Sequence, residues 1–481
     1  AALSKSGVFV LKPGETLEFY AIFSGRKLAD ASSGLNSTGL SHINILSERA
    51  AREALISQWW GNLVLETPDP VLNRMFAFAK LRGAESIYRT KGGLMHGPGG
   101  EAYYAAVWAN DQAEYINPFF PFLGYEIGNE SALNSFRHFA RYMNPEYKPI
   151  PSSIISEGVS FWHGAKDRGD GAMIAYGAAR YALARGDKAE ARELWPLIEW
   201  CLEYCNRKLT PVGVVASNSD ELENRFPAGD ANLCTSTLYY DALRSAVMLG
   251  RELGISAKQL NTYRDQANAL EKAIEKHFGY EIEGFHSYRY YEGNDILRSW
   301  ICMPLVMGIY TRTQGTIDAL FSPRLWTDDG LLTQAGTETF WDRSTLYALR
   351  GTIAAGEVEK GMNFLKKYSH RRLLGDHVPY AIEAWPEGDQ RHLSAESGLY
   401  CRIYTEGLFG IRPTGLRSFE MTPRLPQEWE YMNLNRVRAF NSEFDIRVRR
   451  AGKKLHVEIL KGGKPVLKKS VTEGATIKVN L

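Results

Sequence analysis

The sequence is poor in the features that assign a chain at a glance. Five cysteines, at 201, 205, 234, 302 and 401, occur in 481 residues, and none forms a C-x-x-C pair. That usage excludes a disulfide scaffold. Cys201 and Cys205 share one face of an expected helix, but no further Cys or His stands close enough to complete a zinc set, so buried thiols account for them. No apolar run reaches the roughly 18 residues of a membrane-spanning helix, and no membrane partner is expected. The formal net charge is only +2, which gives no excess to hold nucleic acid or an anionic surface. The segment GGLMHGPGGE (92–101) is glycine-rich but lacks the Lys-Ser/Thr of a phosphate loop, and reads as a loop lining a pocket. Nothing in the sequence implies a cofactor, and a structural Ca²⁺ in an acidic loop stays open but has no EF-hand pattern to bind it. The opening AALSKSGVFV has neither Met nor an apolar signal core, as a processed start would.

What is abundant is aromatic. Phe, Trp and Tyr make up 12% of the chain, against 44% apolar and 23% charged residues overall. Such rings stack on sugars, and they also fill large cores. Three regimes follow along the chain. Residues 1–45 contain GVFVLKPGETLEFYAIFSG, whose alternation around Pro-Gly predicts strands. Residues 46–66 hold SERAAREALISQWWGNL, an amphipathic helix with Ser47 as its expected cap. From 67 to 412 the pattern is helical, with several helices apolar nearly all round, as helices packed on two sides must be. No self-similarity of an open repeat array is present, and a closed ring of helical hairpins fits. Residues 413–481 return to period two, in FDIRVRRAGKKLHVEILKGG and ATIKVNL, and predict a small β-module. The fold class expected is therefore mainly α: an (α/α)6 barrel, or six-hairpin toroid, with a partial N-terminal β-region and a small C-terminal β-module.

The long loops of the helical region carry tryptophan beside carboxylates. VWANDQAEY holds Trp108, Asp111 and Glu114; SFWHGAKDRGDG holds Trp162, His163, Asp167 and Asp170; TFWDRST holds Trp341 and Asp342; EAWPEGD holds Glu383, Trp385, Glu387 and Asp389. SNSDELENRF adds Asp220, Glu221 and Glu223 ahead of Arg225. A flat indole for a sugar ring and acceptors for its hydroxyls is the equipment of a carbohydrate pocket. Each residue also has an ordinary reading: a loop Glu can simply be solvated, Asp111 can cap the next helix, Asp342 and Arg343 can cap and pair, Glu396 can form an ion pair at the start of its helix, and His163 can sit at a rim.

These motifs and their order resemble the six-hairpin (α/α)6-barrel glycoside hydrolases, the group of glucoamylases, trehalases, processing α-glucosidases and α-L-rhamnosidases. The resemblance covers the helical region and extends to the flanking β-modules, with LKPGETLEFYAIFSG similar to the last strands of an N-terminal sandwich. WANDQAEY resembles the glucoamylase-type W-x-R-D segment, which puts Asp111 on a sugar hydroxyl, with Asn110 in place of the Arg. DELENRF resembles the GWDxSxRF segment, whose general acid lies four residues before the Arg and falls here on Glu221. IEAWPEGDQRHLSAESGLY resembles the segment carrying the general base, which falls on Glu383. The implied activity is an inverting, exo-acting glycoside hydrolase, with substrate contacts at Trp108, Asp111, Trp162, Glu223, Arg225, Trp341, Asp342, Trp385 and Glu387 and with no metal. Asp220 and Glu223 beside Glu221 are expected to keep it protonated, as a general acid requires. The implied partner is a carbohydrate and the implied location the periplasm or beyond; oligomeric state is not legible. A phosphorylase on the same scaffold, a polysaccharide lyase using His286, Tyr288 and Arg289, and a non-catalytic carbohydrate-binding protein stay open as alternatives.

Overall fold

A computed structural model describes residues 7–19, 44–98, 106–155, 161–162, 166–374, 381–382 and 394–481. The chain divides into two compact units, 1–58 and 59–481. In the first, residues 7–19 bend at Pro13-Gly14, where the Glu15 N–H donates to the Lys12 carbonyl (3.0 Å). The Phe9 and Phe19 rings meet edge-on at 5.2 Å. The expected alternation is therefore present as extended chain, but no ladder forms among these described residues. Helix α1, Ile45–Gly61, begins before Ser47, because Asn44 rather than Ser47 accepts the exposed amide (Ser47 N to Asn44 Oδ1, 3.1 Å).

The second unit is a ring of helices. Outer helices α2 (Pro70–Glu85), α3 (Glu126–Ala140), α5 (Lys188–Arg207), α7 (Ala257–Phe278), α8 (Thr313–Leu320) and α10 (Val358–Leu374) bury one face each. Inner segments are buried almost all round: a π-helical turn Ala109–Ile116, α4 (Asp170–Arg185), α6 (Leu233–Leu253), the short turns of Ser299–Val306, α9 (Asp342–Ala355) and α11 (Ser394–Arg402). Each inner segment packs on the next, and α11 packs back on Ala109–Ile116, so the ring closes. This is the α/α barrel.

Local chemistry sets the helix ends. Asp69 caps α2 through the Val71 and Leu72 amides (3.0 and 3.1 Å), with Pro70 as first residue, and Asn232 caps α6 through the Thr235 amide (2.9 Å). Close approach is set by glycine. A Cβ on Gly177 of α4 would lie 1.6 Å from the Ala113 carbonyl oxygen, so only glycine lets α4 pack on the turn that carries Asp111.

The C-terminal strands Tyr431–Val437, Phe444–Ala451, Lys454–Lys461 and Lys464–Thr472 form an antiparallel sheet in that order, with Val64–Glu66 added at the first edge. Inward residues such as Leu434, Ile446, Val448, Val457 and Ile459 are buried. The last strand is exposed on both faces and carries Lys464, Lys468 and Lys469, which discourage pairing with another chain. Asp241 of α6 joins the barrel to this end: Arg180 of α4 grips it bidentately (2.8 and 3.1 Å) and Arg412, ahead of the sheet, reaches it at 2.9 Å.

Candidate active site

The site grows from three inner elements. The turn Ala109–Ile116 is wound more widely than an α-helix, and such π-turns recur at functional sites. Gln112 fixes it, donating to the His96 carbonyl (2.7 Å) and accepting from the Trp108 amide. Asp111 and Glu114 are buried on this turn.

The loop of Glu221 is pinned by its neighbour. Asp220 accepts from the Leu222 amide (2.9 Å) and the Tyr290 hydroxyl (2.9 Å) and lies 3.8 Å from Arg298, while Asn232 holds the Ser219 carbonyl (2.9 Å). Glu223 and Asn224 turn the chain back with left-handed φ of 58° and 64°. Glu221 is thereby directed into the protein, 3% exposed. Its Oε2 stands 3.8 Å from Arg343 Nη1, and its Oε1 has no hydrogen-bond partner among the described residues.

Arg343, in the first turn of α9, is the hub. Its Nη2 lies 2.6 Å from Glu396 of α11 and 3.7 Å from Asp111, and its plane lies over the rings of Trp341 (4.6 Å) and Tyr115 (5.3 Å). Asp111, Glu221 and Glu396 thus surround one guanidinium, with Glu114 close enough to interact electrostatically with both Arg343 and Glu221. The electrostatics follow. Burial raises the Glu221 carboxyl well above its usual range; Arg343 opposes this, and Glu114, Asp111 and Glu396 push further upward. Glu114 is raised to about 7, again chiefly by burial, against the 2.5 Å hydrogen bond from Tyr347 and the charges of Arg402, Arg350 and Arg343. The acids that press most on Glu221 are not the expected Asp220 and Glu223 but come from elsewhere in the chain, because Asp220 is occupied by Tyr290 and Arg298 and Glu223 by Arg168 and Arg225.

Those two arginines form the edge of the site. Arg168 joins Asp170 (3.0 Å), Glu223 (3.1 Å) and the Asn110 amide oxygen (2.9 Å), and lies over Trp108 (5.8 Å). A guanidinium therefore stands at Asn110, supplied by another loop. Arg225 pairs with Glu223 (3.1 Å) and lies over Trp341 (5.5 Å). Trp341 is 2% exposed, an inner wall rather than an open platform. Asp342 does not join the cluster. It is fully buried and takes hydrogen bonds from Arg372, Tyr368 and the Ile382 amide, so its pairing reading holds. Trp162 lies on a short strand opposite Ser153. Its side chain lies outside the described residues, as do His163, Glu383, Trp385, Glu387 and Asp389. The sequence reading missed Arg343 and Glu396 as members of one cluster; the signal was an Arg directly after Trp-Asp.

The lyase candidates sit elsewhere: His286 is beside Arg312 (3.1 Å), Arg289 donates to the His277 carbonyl (2.9 Å), and Tyr288 lies under Arg312 (5.8 Å). All five thiols are buried and free. Among the described residues no group of three or more His, Cys, Asp and Glu side chains has the placement to hold a metal ion, and no helix is long and apolar enough to cross a membrane.

No protein-family model matches the chain, and no curated protein does. Solved structures do. A sialidase superposes with TM-score 0.67 at 14% identity, over 88% of this chain and 42% of that one. A GH78 family rhamnosidase of a Bacillus species gives 0.61 at 12%, over 83% and 41%. A glycosidase in complex with glucose gives 0.53 at 12%, over 73% of this chain and 98% of that one. This chain spans about two fifths of the length of the first two. These likenesses establish the α/α-barrel fold that the sequence resemblance implied.

Proposed function

We propose that this chain is a glycoside hydrolase of the inverting, exo-acting kind, with Glu221 as general acid and Glu383 as general base. The observation that carries the reading is the state of Glu221. It is a buried carboxyl with one oxygen unpartnered among the described residues, crowded by other acids and served by a single distant guanidinium. Burial and the crowding acids favour its protonated form, the form that protonation of a leaving glycosidic oxygen requires. The fold neighbours, named as a sialidase, a rhamnosidase and a glycosidase with glucose, support the reaction class. Inversion needs a second carboxylate about 6.5–9.5 Å away to activate water on the opposite face of the ring. Glu383 takes that role by its sequence motif. Trp108, Trp162, Trp385, Asp111, Arg225 and Glu387 are the proposed sugar contacts, and the names of the neighbours make rhamnosides, glucosides and sialosides the first substrates to try. Export from the cytoplasm and independence of any cofactor are parts of the same proposal.

The test is turnover of α- and β-glycosides, with aryl rhamnosides, glucosides and sialosides to identify the sugar and methyl glycosides or disaccharides of that sugar, whose leaving groups need a proton, to compare the parent with Glu221→Gln and Glu383→Gln. One sugar released by the parent and a fall of about 10²- to 10⁴-fold in both variants is expected; NMR of the first product formed then reads inversion. Full activity in either variant removes that residue from its role.

A further inference from the structure

Asp342 was expected at the sugar, yet it is fully buried and its oxygens are fully used. Oδ2 accepts from the Ile382 amide (2.7 Å), the Tyr368 hydroxyl (2.9 Å) and Arg372 Nε (3.0 Å), and Oδ1 accepts from Arg372 Nη2 (2.6 Å). The same Nη2 also holds the Asp329 carbonyl (2.9 Å), so one guanidinium ties the start of α9 to the hairpin before it. Arg372 is itself sandwiched against Tyr368 (4.9 Å) and Phe340 (5.8 Å). Charge-assisted bonds of this kind, dry and bidentate, hold geometry better than neutral ones. The Ile382 amide is bound into this group, although it lies beyond the end of α10 and belongs to neither helix.

The two neighbours in the chain make this placement meaningful. The residue after Asp342 is Arg343, which faces Glu221; the residue after Ile382 is Glu383. We infer that Asp342 is a positioning residue: clamped by Arg372 and Tyr368, it fixes Ile382, the residue that precedes Glu383 in the chain, relative to the arginine that faces Glu221. The dipeptide Asp342–Arg343 thus holds the chain entering the proposed base and faces the proposed acid, and an inverting pair depends on how its two carboxyls are held apart. This rests on the assignment of Glu383 made above.

The experiment compares Asp342→Asn, Tyr368→Phe and Glu383→Gln with the parent on the aryl glycoside the parent turns over fastest, reading kcat, KM, melting temperature and the pH profile. Asn keeps an acceptor for the amide but loses the ion pair. A misplacement near 1 Å can cost on the order of 10²-fold, so Asp342→Asn is expected to lose about that in kcat with KM within about threefold. The acidic limb of the profile, which reports the base, should move while the alkaline limb stays. Tyr368→Phe, which keeps the pair, should lose several-fold in kcat with the same split, and it decides the matter if Asp342→Asn does not fold. Parental kcat in the folded variants beside an inactive Glu383→Gln overturns the inference alone. A melting point that falls with kcat and profile unchanged does so too, since that is a purely structural role. An active Glu383→Gln overturns the base assignment and this inference with it, and a parent without turnover overturns the functional reading itself.

Discussion

At the residue, the chemistry turns on how few cations serve the buried acids. Asp111, Glu114, Glu221 and Glu396 lie around Arg343, and among the described residues Arg343 is the cation that approaches Glu221. Arg343 stabilises the ionised form of Glu221, so weakening it must raise the Glu221 pKa further. Arg343→Lys replaces a planar fork with a point charge. It is expected to shift the alkaline limb of kcat/KM to higher pH, read by initial rates across pH; a shift to lower pH would show that Glu221 is not the acid. Three acids in DELENRF were legible as a sign of crowding, and Glu221, chosen as the acid by its spacing from Arg225, is buried with one oxygen unpartnered among the described residues. What was not legible is the identity of its crowding partners. Spatial neighbours from residues 111, 114 and 396 cannot be read from adjacency, and the adjacent acids 220 and 223 are spent on holding the loop.

At the element, sequence pattern and structure agree best where one face is polar. AKQLNTYRDQANALEKAIEKHF coincides with α7, whose cap at Ser256 and 3.6-residue period are both in the sequence. The pattern is weaker on inner segments, which are buried nearly all round and carry little period to mark their limits, although α4 and α6 both read as helices in the sequence. ILRSWICMPLVMGIY reads as one helix but forms only the short turns of Ser299–Val306, with Pro304 inside and Gly308 turning left-handed at φ 81°. STLYALRGTIAAGEVEKGMNFLKKY reads as one helix and is two, α9 and α10, divided at Gly356 with φ 110°. The π-turn at 109–116 has no sequence signature, yet Gly177 is its counterpart across the packing. Gly177→Ala must displace backbone rather than a side chain, and a loss of about 3 kcal/mol or more in urea unfolding is expected; parental stability would mean that the two segments are not so close. Likewise Asp241→Asn leaves Arg180 and Arg412 without their shared carboxylate, which should cost about 3–5 kcal/mol in the same measurement.

Across the whole molecule, two buried groups make stability fall with acidification over a defined window. His96 is buried, its ring between Ser394 (3.0 Å) and Gln112 (3.3 Å), and burial pulls it down to about 3. The native state keeps this ring neutral while the unfolded chain protonates it, so stability declines as pH drops from about 6.5 toward 3. Glu406, among Arg350, Arg402 and Arg180, is held at about 2 despite its burial, and adds a loss between about 4.5 and 2. Glu114 and Glu221, raised by burial, act in the opposite sense, so the contribution is read as a difference: from pH 7.5 to 3 the melting temperature of the parent should fall relative to that of His96→Gln, and identical profiles would remove His96 from this account.

The measurement closest to the central claim varies the leaving group. A general acid matters in proportion to how badly the departing oxygen needs a proton. Glu221→Gln should lose about 10²- to 10⁴-fold in kcat/KM on an alkyl or sugar leaving group and almost nothing on a glycosyl fluoride or dinitrophenyl glycoside. An equal loss on all leaving groups, or none on any, would contradict the assignment of Glu221 as the proton donor.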